Sequence, residues 1–462
     1  MKKIIYAIVL GGLLATSLPS CSGFLDPAPV KEEPDKDKLN SETAVEQVLL
    51  SVYGAMAGDN LLGGNINILG ELYGDNISFA NTAGTDYAPF DTRSFAFFNV
   101  VCRQSWEAGY YAIYHANTVI AAVDGKRFPT ADKIGQQYKG EALFARGLLF
   151  FELTRIYALP YTNAPATDPG VVLRLTPTVK SPVEAAGKVG RSTVEQCYTQ
   201  AIKDLTEAIA LLPEKNGNRA SKVAAKAVLA RVYFNMTKYP EAFKMADDAI
   251  KTSGVTFGAL ADPFSNVGDK ATNGVIFQTV NLTGGQDGSS RIRNVFYSNT
   301  NKDAIWLPIS PSLQNVLNTG KSGNRFTTFY GTDAKYLYTT KYIRNGVTNA
   351  VNIPYIRLAE LYLTRAEAGL QAGTYDVVAA RNDMNAVRKV AGANEDNATT
   401  SKDFLIMAIQ DERRIELAME GDRYHELRRL KKDIRGLKFN DKAGLLKIPD
   451  SEMRGNPTME QN

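Results

Sequence analysis

The chain of 462 residues concentrates its charge in one place, DERRIELAMEGDRYHELRRL, from Asp411 to Leu430. Read as one helix, this stretch puts Ile415, Ala418 and Met419 on one face and Glu412, Glu416 and Glu420 at i, i+4 and i+8 on another. Carboxylates beside a histidine invite an acid–base role, and the arginines invite nucleic acid. Neither reading fits the spacing. Six acids against five arginines leave no cationic face. Alternating signs satisfy one another and leave no group poised to move a proton. Like charges four residues apart destabilise an isolated helix, so the glutamate stripe makes sense only where cations meet it. Arg413 and Arg423 lie within reach inside the segment, and Arg357, Arg365 and Arg388 lie on the preceding helices. The expectation is a structural ion-pair cluster of Arg365, Arg388, Glu412, Glu416, Glu420 and Arg423. Bidentate arginine–carboxylate pairs of this kind fix the register of helices.

Other chemistry is sparse. The two histidines, His115 and His425, stand at no metal-ligand spacing from another His or a Cys, and each reads as a packed or surface residue. No phosphate-binding glycine loop, nucleophile elbow or dinucleotide fingerprint occurs. Loop acids such as Asp75, Asp86, Asp262, Asp269, Asp287 and Asp303 leave room for a glycosidase pair, although solvated acids are common in loops. Loop acids alone define no calcium cage, and no metal or cofactor is expected. Aromatic, amide and arginine side chains are better supplied. Asn81, Tyr87, Phe90 and Arg93 form one group, and Arg293, Tyr297 and Trp306 a second. Sugar rings stack their apolar faces on aromatics and need polar partners for their hydroxyls. The same mixture would serve a peptide, and many such aromatics form small cores under loops.

These residues need a scaffold. Composition is ordinary for a globular chain, 44% hydrophobic and 22% charged, and a net charge of +4 argues against a dedicated nucleic-acid binder. Residues 1–20 carry Lys2, Lys3 and an apolar run from Ile4 to Leu14, a secretory signal too short for a membrane span. Cys21, directly after Leu18-Pro19-Ser20, resembles the lipidated residue of a bacterial lipobox; ordinary secretion is the alternative. Residues 21–39 are rich in Pro and charge and read as a tether. From residue 40 the pattern becomes helical, with Asn40 or Ser41 as N-cap, a capping box at Ser192 and Glu195, and stops at Pro160 and Pro213. Small residues recur where helices must approach closely, at Ala225, Ala227, Ala230, Ala242 and Ala246 and again at Ala359, Ala366, Ala368, Ala379 and Ala380. Such antiparallel pairs build a tetratricopeptide-like array, here without a strict repeat. The expected fold is mainly α: a helix-pair array in a single domain over 40–462, with large irregular loop insertions at about 73–104 and 254–352 and minor short strands. GVIFQTVN alternates as a strand, and AKYLYTTKYI as the arm of a hairpin. Cys102 and Cys197 can pair outside the cytoplasm, but the sequence assigns no bond.

The order of several segments resembles the SusD/RagB lipoproteins of Bacteroidetes. They are CSGFLDPAP, the spacing of Trp106, Tyr110, Ile113, Ala116 and Asn117, GEALFARGLLFFELTRIYALP, IRLAELYLTRAEAGLQAG, MNAVRKVAG, ERRIELAMEGDRYHELRRL and the terminal IPDSEMRGNPTMEQN. Tyr424-His425-Glu426 departs from the aromatic-Asp-Leu usual in that family. The resemblance implies a non-enzymatic lipoprotein on the outer-membrane surface. It would bind an oligomeric nutrient, glycan or peptide, and deliver it to a SusC-like TonB-dependent transporter. It carries over no individual ligand residue. A surface glycan-cleaving enzyme and a pure assembly scaffold are the alternatives.

Overall fold

The computed structural model describes residues 39–80, 82–83, 85–94, 99–177, 189–265, 273–280, 290–296, 307–332, 335–343 and 352–462. The signal, Cys21 and nearly all of the tether lie outside them. Leu39–Asn462 is one compact unit.

Helices begin where the sequence supplies a cap. Ser41 accepts a hydrogen bond from the Ala44 amide and opens α1 (Glu42–Ala57), whose Val45, Leu49, Val52 and Met56 are buried at helical spacing. Then come α2 (Asn65–Leu72), α3 (Ala88–Thr92), α4 (Val100–Asp124), α5 (Gly135–Tyr157), α6 (Val194–Leu211), α7 (Lys222–Asn235) and α8 (Tyr239–Ser253). The region after α8 holds β1 (Val275–Thr279), α9 (Ser290–Phe296), α10 (Pro311–Leu317), α11 (Arg325–Phe329), β2 (Tyr330–Thr332), β3 (Leu337–Thr339) and β4 (Ile353–Arg357). The chain closes with α12 (Leu358–Ala372), α13 (Val377–Val390), α14 (Lys402–Glu416), α15 (Arg423–Arg429) and α16 (Asp450–Gly455). Helix α4 packs on α5, α5 on α6, α6 on α7 and α7 on α8, and α8 continues onto α12 across the second insertion. The mainly helical, paired architecture is the one expected. Among the described residues two small antiparallel sheets complete it: β1 pairs with β4, Thr279 opposite Ile353, and β2 pairs with β3, Tyr330 opposite Thr339.

Helix α5 is buried almost all round, so its polar side chains need internal partners. Arg146 makes a two-pronged pair with Asp204 at 2.7 and 2.8 Å, and Arg155 pairs with Glu152. Several local expectations shift. The capping box sits one residue later, at Thr193 and Gln196, because the backbone of Ser192 is already bonded to Gly170 and Val171. Helix α4 starts at Val100, inside the expected first insertion, capped by Asn99 through the Cys102 amide. Cys102 and Cys197 are both buried free thiols.

The charged segment changes most. It is not one helix: α14 ends at Glu416, and Met419 and Gly421 take positive φ, 68° and 83°, before α15 starts. Gly421 is required there. A Cβ on Gly70 of α2 would stand 1.9 Å from the Gly421 carbonyl oxygen, so two backbones meet with no room for side chains. The three glutamates are met by cations as expected, but by a different set. Arg388 reaches Glu412 at 2.7 Å. Arg325 bridges Glu412 and Glu416 at 2.6 and 2.7 Å. Arg357, which ends β4 rather than lying on a helix, joins Glu416 at 2.6 Å and grips Glu420 at 2.6 and 2.7 Å. Lys341 gives its ammonium to Glu420 and to the carbonyls of Glu416 and Ala418. Arg365 and Arg423 do not belong. Arg365 pairs with Asp383 and Asp247 on α13 and α8, and Arg423 turns to Asp75. Both point away because each has a nearer carboxylate.

Arg325 and Lys341 enter the clasp from the second insertion and Arg357 from the strand that follows it, so the charges tie that insertion to the helical core. Replacing Arg325 with Met leaves Glu412 and Glu416 short of a buried partner. It should lower stability by about 3–5 kcal/mol in urea unfolding. Burial would raise the Glu416 carboxyl, but Arg325, Arg357 and Lys341 outweigh it and hold it at about 2. Its contribution is therefore full above the ordinary value of 4.5 and is lost as pH falls through about 2. An acid titration of the midpoint should show this loss, and Glu416→Gln should start lower and fall less.

Candidate ligand-binding groove

The first insertion is anchored at its root. Asp75, just after α2, is gripped by Arg423 at 2.5 and 3.0 Å and approached by Arg414 at 3.4 Å. Burial pushes its carboxyl up, but the two guanidiniums outweigh it and hold it below the usual range. Next to it, Asn76 donates to Glu71 at 3.1 Å and accepts from Arg414 at 3.0 Å. The backbone then pairs with the second insertion. Ser78 N–H donates to Pro308 O at 2.8 Å, Ser310 N–H to Asn76 O at 2.9 Å, and Ile77 bridges Ile309 antiparallel. Ile309 N–H donates onward to Leu337 O at 2.8 Å on the β2–β3 hairpin. Three segments from distant parts of the chain thus meet at one rigid seam.

A groove of about 520 Å³ opens along this seam, a volume within the range of ligand clefts. Ser78, Phe79 and Ala80 form one wall. Pro308, Pro311 and Gln314 form a second, and Thr332, Lys335 and Tyr336 a third. Phe79 and Tyr336 are half-buried, so each keeps part of a ring on the surface. Arg435 stands over Phe79, 4.8 Å from the ring centre, and also pairs with Asp91 at 2.7 Å. Aromatic faces among hydroxyl, amide and ammonium groups suit a polyhydroxylated ligand better than an apolar one. A second recess of about 270 Å³, between the 214–221 loop and β1, takes nothing from the first insertion. Its one aromatic lining residue, Phe277, is buried.

Comparison with known proteins bears on this arrangement. Residues 23–234 match a SusD-like family described as starch-binding and associating with the outer membrane, and residues 230–444 match the SusD family. The chain belongs to the SusD/RagB family. The SusD-like protein P2 of Formosa agariphila is 24% identical over 481 residues, 93% of this chain and 91% of that protein. A SusD superfamily protein of Bacteroides thetaiotaomicron superposes with a TM-score of 0.80 at 24% identity, covering 91% of this chain and 99% of the other. A Bacteroides vulgatus protein with a provisional sugar-binding name gives a TM-score of 0.80 at 27% identity, over 92% and 99%.

Within this SusD-family frame the expected site residues separate. Asn81, Tyr297 and Trp306 lie outside the described residues, as does the Arg293 side chain. In sequence, Asn81 follows the wall residue Ala80, and Trp306 stands two positions before the wall residue Pro308. Phe90 is fully buried against Tyr73 and belongs to the core. Tyr87 is also buried, which pushes its phenol up to about 12. Arg93 caps α3 in the left-handed region, φ 56°, and its Nη2 is buried with no hydrogen-bond partner among the described residues. Sequence reading missed Tyr336, Gln314 and Lys335. Only the aromatic alternation of AKYLYTTKYI pointed toward Tyr336. Among the described residues no group of three or more His, Cys, Asp or Glu is placed to hold a metal ion.

Beneath the seam, Glu71 is fully buried and accepts from the Gly421 amide at 3.0 Å as well as from Asn76. Burial raises its carboxyl to about 7, against those two donors, with Asp422 adding and Lys341 opposing. Its contribution to stability is full below the ordinary 4.5 and is lost as pH rises through about 7. Unfolding midpoints measured from about pH 5 to about pH 8 should carry this fall, and Glu71→Gln should flatten it.

Proposed function

We propose that this protein is a cell-surface lipoprotein, anchored through Cys21, that binds an oligosaccharide in the Phe79–Tyr336 groove. It passes the ligand to a SusC-like TonB-dependent outer-membrane transporter without cleaving it. The observation that carries this reading is the seam itself. The two aromatic-rich insertions are bonded into one groove through Ile77 and Ile309, which lie more than 200 residues apart in the chain. Family membership supports a carbohydrate ligand, since its members are described by starch and sugar binding. Among the described residues that line the groove none is a carboxylate. Asn81, Arg93, Arg293, Tyr297 and Trp306 are proposed to extend the contact surface beyond the described walls, and Tyr87 to support it.

Glycan-array screening followed by calorimetry should identify an oligosaccharide that is recovered intact after incubation. Phe79→Ala and Tyr336→Ala should each weaken its binding about 2- to 10-fold, the range of one lost stacking contact. Trp306→Ala and Tyr297→Ala should do likewise. Affinity unchanged in all four variants would place the ligand elsewhere, and release of shorter products would make the protein an enzyme. Selective binding of peptides in the same screen would redirect the ligand class while keeping the groove.

A further inference from the structure

Away from the groove, a recess of about 10 Å³ lies where α15 meets α5, α6 and α7, enough for one small guest. Arg155, Tyr198, Asn235, His425 and Arg428 line it. Most of their polar atoms are used. Arg155 Nη2 donates to both Glu152 oxygens at 2.5 and 2.6 Å. Arg428 donates through Nη1 to Arg155 O at 2.9 Å and through Nη2 to Ala158 O at 2.8 Å. Tyr198 donates to Asn235 Oδ1 at 2.7 Å. Among the described residues, three nitrogens here have no hydrogen-bond partner: Arg155 Nε, Arg428 Nε and His425 Nε2. Their residues are 7%, 3% and 3% exposed. Leaving one such donor unmet is costly, and three around one recess call for a shared acceptor.

The charges around the recess decide what that acceptor is. Among the described residues Arg428 has no carboxylate partner; its guanidinium meets two carbonyls and the Tyr424 ring at 4.8 Å. The charged groups that act on His425 are Arg155, Arg428 and Arg231, all cations. Tyr198, on the opposite wall, feels Arg155 and Arg428 ahead of Glu152. Burial and these arginines hold His425 neutral, and a neutral imidazole can carry its proton on Nε2. Arg155 is paired with Glu152, and Arg429, which also lines the recess, with Glu367 and Glu426, so the charge left over among the described lining residues is that of Arg428. A monatomic anion sets no direction of its own and accepts from each N–H that points at it.

We infer that this recess binds a single monatomic anion, chloride in ordinary media, which joins α15 to α5 behind the clasp. Crystals of the mature protein grown in sodium bromide test this directly, with data collected above the bromine absorption edge. An anomalous peak in contact with Arg155 Nε, Arg428 Nε and His425 Nε2 is expected. Density at the site that refines as water with no anomalous signal would overturn the assignment. In solution, exchanging chloride for a bulky organic anion at matched ionic strength should lower the midpoint of thermal unfolding by about 1–2 °C. Arg428→Met should abolish that dependence; a variant that folds and keeps it would also overturn the assignment.

Discussion

The rest of the structure depends on how three carboxylates are neutralised in a dry interior. Glu412, Glu416 and Glu420 lie at the junction of α14 and the turn before α15, and the single side chain of Arg325 bridges two of them. Buried charges of one sign are tolerable only with partners in good geometry. Arg325, Lys341 and Arg357 supply most of those partners, and all three come from the second insertion or the strand that follows it. The insertion is therefore held to the helices by charge as well as by apolar contact. The β2–β3 hairpin lies between Arg325 and Lys341 in the chain, so the clasp fixes the hairpin that carries Tyr336.

The same turn holds the first insertion. Gly421 and Gly70 bring the clasp turn against α2, Glu71 accepts the Gly421 amide, and Asn76 bonds to Glu71. Arg414 and Arg423, from either side of the turn, close on Asp75. The residues that seemed to announce chemistry thus hold the groove without lining it. A groove of this kind gains affinity by having its walls set before the ligand arrives. Rigid ion pairs under a loop seam are one way to set them.

Much of the scaffold was legible because helix caps, stops and small-residue faces are local signals. Ser41, Pro160, Pro213 and the alanines of α7, α8 and α12 mark elements that the structure contains. So does GVIFQTVN, as β1. Helix α2 was not seen: it is only eight residues long and buried throughout, so its Asn65, Asn67 and Glu71 mark no solvent face. The glutamate stripe was legible as a demand for cations, but not as a list of them. Arg365 satisfied the spacing and was claimed by Asp383. Arg325 and Lys341 gave no local sign of their role, because their partners are 75 to 91 residues away.

The groove follows the same division. The sequence by itself determined that two aromatic-rich insertions interrupt a helical array, and that a charged segment must be met by cations elsewhere. Both follow from periodicity, composition and charge, which are properties of neighbouring residues. Only the tertiary structure decided that the insertions meet, that Phe90 goes to the core while Phe79 and Tyr336 face the groove, and which arginine meets which glutamate. Those outcomes depend on which partners are nearest once the chain is packed, and sequence spacing does not encode distances across a fold.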